Sequence, residues 1–144
     1  MAEILTLKIA LSGWRAGEQS WSAVIEVSEE TTLADLHCII QQLVNFDDDH
    51  LHEFYAGRHW RNHKVQFGEP ASPFEANDAE DIRLSAVFPL EKKHNLYYHF
   101  DFGDDWIFEI KCRAGRKPMA RRAKYPRIVE KSGRRPRQYG GNGD

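Results

Sequence analysis

The feature that most constrains the fold is a run of alternating apolar residues from position 97 to 112, interrupted by the turn residues 103–105. Apolar side chains at every second position are typical of strands that bury one face. Gly and Asp favour turns, because Gly adopts positive φ and Asp bonds to nearby backbone N–H groups. The run therefore predicts a β-hairpin with an apolar and a polar side, and a structural role is favoured over an active site.

The register of this hairpin is predicted from its apolar pattern. A three-residue loop pairs apolar residues on one side: Phe102 with Trp106, Phe100 with Phe108 and Tyr98 with Ile110. On the other side it pairs Tyr97 with Lys111, His99 with Glu109 and Asp101 with Ile107. A two-residue loop would mix the faces, so we expect the longer loop. Phe100, Phe102, Trp106 and Phe108 are then buried and Asp104 is exposed.

One amphipathic helix is predicted in the first third of the chain. From Leu33 to Asn45 the apolar residues follow the period of an amphipathic helix. Thr32 is the expected N-cap and Asp35 occupies the capping-box position, three residues later. Asn45 is the expected terminator.

Further strands are predicted on both sides of this helix. Apolar residues alternate over positions 5–11 and again over 21–27, which indicates a hairpin with a wide loop. A strand is expected over 51–55, with a short return strand over 59–65. The stretch 84–88 is ambiguous between a short helix and a strand.

Together these elements predict an α+β fold, with a curled mixed or antiparallel sheet and one main helix on one face, in a β-grasp-like arrangement. Residues 1–112 form the predicted domain. Residues 113–144, called the basic segment below, contain prolines and a Gly-Gly pair and are predicted to be irregular, packed on the domain or extending from it.

Charge is distributed unevenly along the chain. Residues 1–110 contain 8 Lys and Arg against 20 Asp and Glu, a net charge of −12, whereas residues 111–144 contain 12 against 2, a net charge of +10. The basic segment could contact nucleic acid, an acidic protein partner or the chain's own acidic part. The candidate nucleic-acid-binding residues are Arg121, Arg122, Lys124, Arg127, Arg134, Arg135, Arg137 and Tyr139.

A second group of candidates is polar and lies near the predicted hairpins: His50, His52, Glu53, His99, Asp101 and Glu109. On one strand His50 and His52 would share a face and could ligate a metal ion, and the carboxylates could act as acid and base. The structural alternative is that Asp101 accepts loop N–H bonds and that His99 pairs with Glu109 across two strands. We favour this alternative and expect no metal and no cofactor, with His50 and His52 the weak metal candidates.

The remaining features indicate a cytoplasmic protein without a membrane partner. The first residues alternate instead of forming the apolar block of a signal peptide, and no stretch approaches the roughly 20 apolar residues of a membrane span. Cys38 and Cys112 lie far apart, without a partner at CxxC spacing, and are predicted to pack on apolar faces in a reducing compartment.

Three stretches carry a family resemblance: FDDDHLHEF, YYHFDFGDDWIFEI and YPRIVEKSGRRPRQYGG, in this order. With them the chain resembles the plasmid pRiA4b ORF-3-like family over nearly its whole length. The resemblance implies a compact α+β fold and an origin on plasmids or other mobile elements, and it implies no catalytic residues, because the family has no established activity. Relatives often carry a Cys-Pro-Pro-Glu-Asp-Cys-Gly-Gly segment, which residues 135–141 replace here without cysteine.

These observations favour a non-enzymatic binding or accessory module, with nucleic acid as the leading partner. No P-loop, dinucleotide fingerprint or G-x-S-x-G motif is present. Two alternatives stay open. One is a small metal-dependent enzyme that uses His50, His52, His99 and Asp101, and the other is a protein-interaction module.

Overall fold

The computed structural model describes residues 2–68, 70 and 81–138. Its elements follow the chain in this order: β1 (Glu3–Ser12), a 3-10 helix (Gly13–Gly17), β2 (Trp21–Ser28), α1 (Leu33–Val44), β3 (His52–Gly57), β4 (Val65–Gln66), α2 (Leu84–Val87), β5 (Asn95–Phe100), β6 (Trp106–Cys112), β7 (Lys117–Pro118) and β8 (Arg127–Gly133). The return strand predicted at 59–65 is reduced to β4. The ambiguous stretch 84–88 forms the short helix α2.

Every described pair of neighbouring strands is antiparallel. The strand order is β4-β3-β5-β6-β1-β2-β8, and β7 pairs with the start of β1. The helix α1 covers one face of this sheet, which we call the helix face, so the predicted α+β class with one main helix is confirmed. The β-grasp-like arrangement stays a prediction.

The main hydrophobic core lies between α1 and the helix face. Leu33, Leu36 and Ile40 of α1 are buried. They belong to one cluster with alternate residues of the central strands: Leu5, Leu7, Ile9, Ala23, Ile25, Phe54, Tyr98, Phe100, Phe108 and Ile110. Each fully buried apolar side chain contributes about 1.5 to 3 kcal/mol, so this layer holds the helix on the sheet.

The ends of α1 are those that the sequence predicts. The Thr32 hydroxyl accepts a hydrogen bond from the backbone N–H of Asp35, and the Asp35 carboxylate accepts one from the N–H of Thr32, both at 3.1 Å. Asn45 follows the helix with φ 57°. Asn tolerates this left-handed conformation better than most residues, so the helix ends there.

The β5–β6 hairpin has the predicted faces but a different register. Its pairs are Phe100 with Trp106, His99 with Ile107, Tyr98 with Phe108, and Tyr97 with Glu109. The pairing is shifted by two residues, and the loop comprises residues 101–105. A shift by two preserves the faces, because side chains alternate with period two. Phe102 is 39% exposed, so its predicted burial is wrong, whereas Phe100 is buried and Asp104 exposed as predicted.

The loop is longer than predicted because Asp101 organises it. The Oδ1 atom of Asp101 accepts hydrogen bonds from the backbone N–H groups of Gly103 at 3.1 Å and Asp104 at 3.2 Å. Its carbonyl accepts one from the N–H of Asp105 at 2.6 Å. Both Asp101 and Asp105 adopt positive φ, which Asp tolerates through local bonding. These bonds favour the open loop over the burial of Phe102.

The opposite side of the sheet, called the outer face, carries a smaller apolar cluster. Tyr55, Tyr97 and Ile107 are buried there, and Trp60 packs on them. The Tyr55 hydroxyl donates to the backbone carbonyl of Trp60, and its ring stacks on His63 with centroids 3.5 Å apart. The chain after β3 therefore folds back over the outer face.

The basic segment contains two strands that its sequence did not predict, the short β7 and the longer β8. Strand β8 pairs with β2 at one end of the sheet, so the interpretation of the segment as irregular is wrong for these residues. A bulge at Val129 interrupts the alternation of β8 and conceals it in the sequence. Gly133 ends the strand at φ 81°, and a Cβ atom there would lie 2.1 Å from the Ser20 carbonyl oxygen. The domain boundary at residue 112 stays a prediction.

Two further expectations concern membranes and thiols. Among the described residues, no helix has the length and apolar character needed to cross a membrane. Cys38 and Cys112 form no disulfide within the described residues. Cys38 is exposed, so its predicted packing on an apolar face is wrong, whereas Cys112 is partly buried.

Candidate functional site

The six residues of the predicted polar cluster are divided among three places: His52 on the helix face, Glu53, His99 and Glu109 on the outer face, and His50 with Asp101 at the β5–β6 loop. Glu109 lies opposite Tyr97, so the predicted pairing of His99 with Glu109 is wrong. The residues of the metal-dependent alternative therefore do not share one environment.

On the outer face, His99 lies between two carboxylates. Its Nδ1 atom is 2.8 Å from Glu53 Oε2, and its Nε2 atom is 2.8 Å from Asp105 Oδ1. Burial alone would lower the pKa of His99, but the hydrogen bonds to Glu53 and Asp105 outweigh it and raise the pKa above its ordinary value. The Phe102 ring stacks on the imidazole, with centroids 4.4 Å apart.

This arrangement limits what His99 can do chemically. A general base needs a ring nitrogen with an available lone pair within reach of the substrate. Both nitrogens of His99 are engaged with carboxylates, and the raised pKa favours the imidazolium, which has no lone pair. The group of Glu53, His99 and Asp105 is therefore suited to holding β3, β5 and the hairpin loop together.

On the helix face, His37 and His52 stack in parallel. Their ring centroids are 3.7 Å apart and the planes differ by 9°. The Tyr98 hydroxyl lies 2.5 Å from His37 Nδ1 and accepts a hydrogen bond from Gln41 at 2.9 Å. Asp48 Oδ1 lies 2.8 Å from Nε2 and accepts from it, so the proton of the neutral ring sits on Nε2 and Nδ1 accepts from the Tyr98 hydroxyl.

Burial makes both stacked histidines weak bases. It lowers the pKa of His37 to about 4. It also lowers the pKa of His52 to about 4, with a further contribution from the neighbouring His37. His37 and Gln41 are absent from the predicted site residues, although both follow the buried Leu33 at helical spacing of four, which places them on the sheet side of α1.

At the hairpin loop, His50 contacts two carboxylates. Its Nε2 atom lies 3.3 Å from Asp101 and 3.5 Å from Asp49. His50 precedes β3, which begins at His52. The prediction that the two histidines share a strand face is therefore wrong. Within residues 2–68, 70 and 81–138, no group of three or more His, Cys, Asp or Glu side chains could hold a metal ion. The expected bonding of loop N–H groups to Asp101 is confirmed.

Part of the basic segment is held against acidic residues of the sheet. Lys117 and Arg127 both pair with Glu26 of β2, and Arg116 pairs with Glu29. Glu26 is only 2% exposed. Hydrogen bonds from Lys117 and Arg127 lower the pKa of its carboxyl in spite of this burial. These three cations are thus neutralised by the chain itself.

The other cations of the segment are exposed to solvent. In the described part of the chain, seven of them form no ion pair: Arg113, Arg121, Arg122, Lys124, Lys131, Arg134 and Arg135. Arg134, Arg135 and Arg137 line a cavity of about 440 Å³ beside the end of α1. Tyr139 lies outside the described residues, so its expected stacking on bases stays a prediction.

Comparison with known proteins gives a family and a fold. The family model for plasmid pRiA4b ORF-3-like proteins matches residues 3–142. The crystal structure of a protein of unknown function from Methanosarcina mazei Go1 is similar, with a TM-score of 0.69 and 26% sequence identity over 91% of this chain and 70% of that one. No curated protein matches the chain.

Proposed function

Because the chain belongs to the plasmid pRiA4b ORF-3-like family, whose name carries no activity, we propose a function from the charges on its own surface. In this proposal the protein is a non-enzymatic accessory module of plasmid or mobile-element origin that binds nucleic acid in the cytoplasm. The proposed binding surface is the described exposed part of the basic segment, residues 121–137. The observation that carries the proposal is the division of the segment's cations into a paired set and an exposed set.

The paired set fixes the backbone on which the exposed cations stand. Arg116, Lys117 and Arg127 bind the acidic residues of the sheet, and β8 pairs along β2. At the far end, the Gln138 side chain accepts a hydrogen bond from the Asp47 N–H at 2.6 Å and donates one to a nearby carboxylate at 2.7 Å. Cations on an ordered backbone lose less conformational entropy on binding phosphates than cations on a free tail.

Five of the exposed cations form two groups beyond the two ends of β8, and Lys131 lies within the strand. Arg121, Arg122 and Lys124 precede the strand, and Arg134 and Arg135 follow it. The strand has 7 residues. At about 3.3 Å per residue, the strand that separates the two groups spans roughly 20 Å, which corresponds to about six base-pair steps of about 3.4 Å. This spacing fits phosphates along one strand of a nucleic acid and favours sequence-independent binding.

The rest of the chain restricts where a polyanion can approach. Residues 1–110 carry a net charge of −12, so they repel phosphates over most of the remaining surface. A nucleic acid should therefore approach the protein from the side that carries the basic segment. It should also weaken steeply with salt, because each phosphate that is neutralised releases counterions.

The two alternatives receive less support. The metal-dependent enzyme needs His50, His52, His99 and Asp101 to act together, whereas the two ring nitrogens of His99 are occupied by carboxylates and His52 lies on the other face. An acidic protein partner would use the same exposed cations as a nucleic acid. The binding experiment below distinguishes the two partner classes, because it measures the affinity for oligonucleotides directly.

The experiment measures the affinity of labelled duplex and single-stranded oligonucleotides by fluorescence anisotropy at several salt concentrations. The variant replaces Arg121, Arg122, Arg134 and Arg135 by Gln. We expect weaker binding to both probes and a smaller slope of log affinity against log salt, by up to about 0.9 per lost phosphate contact on duplex.

A matched control replaces four exposed cations of the acidic part, Lys8, Arg58, Lys64 and Arg83, by Gln and should leave the slope unchanged. Thermal melts of all the proteins check that the variants fold. If the wild-type protein binds neither probe at low salt, nucleic acid is the wrong partner, and pull-down with an acidic protein is the next test.

A further inference from the structure

A cavity of about 690 Å³ lies at the end of the sheet opposite the β5–β6 loop, where β5 begins and β6 ends. Its floor is apolar: Leu5, Phe88 and Ile110 are buried, and Leu90 and Cys112 are partly buried. Burial raises the pKa of the Cys112 thiol, which stays neutral and belongs to this floor. Small-molecule sites in proteins are typically concave, mostly apolar and of about 300 to 1,000 Å³.

The rim of the cavity is basic. Its charged residues are Lys92, Lys93, Lys111, Arg113, Arg116 and Glu91. Among the described residues, Lys92, Lys93 and Arg113 form no ion pair and are exposed. Arg116 is oriented by Glu29 and by a backbone carbonyl 3.2 Å from its guanidinium. The rim therefore presents several cations above an apolar floor.

The backbone at the rim has an unusual conformation. Lys93 adopts φ 67° in the turn in which the His94 N–H donates to the Glu91 carbonyl at 3.0 Å. A left-handed φ is unfavourable for Lys and natural for Gly or Asn. Residues in such conformations concentrate at ligand sites, where the side chain is needed in spite of the strain. Glu91, the one carboxylate among the described residues that line the cavity, faces His94 at 3.6 Å.

We propose that this cavity binds a small organic anion with an apolar body. The apolar part lies against Leu90 and Cys112, the partly exposed residues of the floor. The carboxylate, phosphate or sulfonate group meets the cations of the rim. A bare inorganic ion would leave the floor exposed, and a neutral apolar molecule would leave the cations without a counter-charge. An acyl anion and a nucleoside monophosphate share the required chemistry.

The test uses anilinonaphthalene sulfonate, an apolar anion whose fluorescence rises in an apolar environment. We expect one molecule to bind per folded chain. The variant Lys92→Gln/Lys93→Asn removes two rim charges, and Asn retains the left-handed turn. It should weaken binding about tenfold, as expected for the loss of two partly solvated cation contacts. The control Arg58→Gln/Lys64→Gln removes the same charge elsewhere and should leave binding unchanged.

Competition then identifies the ligand class. Displacement of the dye by decanoate supports an acyl anion, and displacement by adenosine monophosphate supports a nucleotide. Equal displacement by inorganic phosphate at constant ionic strength would overturn the apolar part of the proposal. Equal binding of the dye to the wild type and the Lys92/Lys93 variant would overturn the whole proposal. Neither result depends on nucleic-acid binding, because residues 121–137 are unchanged in these proteins.

Discussion

A buried pair of histidines, His37 and His52, and the partly buried His99 lie on opposite faces of the same sheet, and their pKa values move in opposite directions. On the helix face, burial lowers the pKa of His37 and of His52 to about 4. On the outer face, the hydrogen bonds of His99 to Glu53 and Asp105 overcome burial and raise its pKa. His37 and His52 are therefore neutral at physiological pH, whereas His99 favours the charged form.

The opposite pKa shifts indicate that the surroundings of a histidine decide its protonation state in this fold. Removal of water disfavours the charged form, and adjacent carboxylates restore it. The ring nitrogens of His37 and His99 are occupied by hydrogen-bond partners. These residues therefore contribute stability and orientation, whereas the exposed cations on β8 and around the cavity are better placed to meet a partner.

The largest expected effect concerns the core on the helix face. Phe100 is fully buried between α1 and the sheet, next to the stacked histidines. Phe100→Ala should lower the free energy of unfolding by about 3 to 5 kcal/mol, because it removes buried apolar surface and leaves a cavity. Urea denaturation measures the change. A loss below about 1 kcal/mol would contradict the buried position.

The helix-face pair predicts a stability that falls in acid. The unfolded histidines titrate near 6.5 and the folded ones at about 4, so the unfolded chain binds more protons between these values. The stabilisation is complete above pH 6.5 and is lost as the pH falls towards 4. Each pKa unit corresponds to about 1.4 kcal/mol, so one histidine accounts for a loss of about 3 kcal/mol. The pair should lose more than this but less than twice as much, because the pKa of His52 includes its repulsion from His37.

The variant His52→Phe isolates this effect, because it keeps a stacked ring on His37 and removes one titrating group. Its unfolding free energy should vary less with pH over the same range than that of the wild type. Titration of the imidazole signals by NMR measures the pKa values directly. A His37 pKa at or above the ordinary value of 6.5 would contradict the interpretation.

The outer face predicts the opposite pH dependence. Since the folded pKa of His99 is raised, its contribution is present below the unfolded pKa of about 6.5 and is lost as the pH rises through the folded value. His99→Gln should therefore destabilise the protein by about 1 to 3 kcal/mol at low pH, through the lost charged hydrogen bonds. The effect should shrink in mild base. Melts at pH about 6 and about 9 test the sign, and a larger effect in base would refute it.

The smallest effect is expected at Phe102, which lies close to Phe100 in the sequence. Phe102 is 39% exposed and stacks on His99 from the solvent side. Phe102→Ala should change the free energy of unfolding by less than about 1 kcal/mol, as is usual for exposed positions. Measured beside Phe100→Ala, it tests the hairpin register, because the predicted three-residue loop would bury both rings equally.

Much of the fold follows from local patterns. The capping box of α1 and the alternation of β1, β2, β5 and β6 depend on residues within one element, and the structure agrees with them. The hairpin register was mispredicted because the apolar pattern alone favours the burial of Phe102. The bonds that Asp101 makes to the loop backbone favour another register with the same faces.

The candidate sites were less predictable than the fold. Glu53 and His99 come together only because β3 pairs with β5, and His37 meets His52 only because α1 crosses the end of β3. These pairs are far apart in the sequence, and no local period relates them. The strand β8 was missed for a similar reason, because its pairing with β2 and its bulge depend on a partner about one hundred positions away.

Local patterns in the sequence are enough to predict the class of the fold, the position and ends of the main helix, and the concentration of positive charge in the basic segment. These properties depend on local periodicity, on capping and on composition. The pairing of cations with Glu26 and Glu29, the exposure of the other cations and the charge of each histidine follow from the three-dimensional arrangement alone. Those outcomes depend on burial and on distances between remote residues, because electrostatic interactions strengthen where water is excluded.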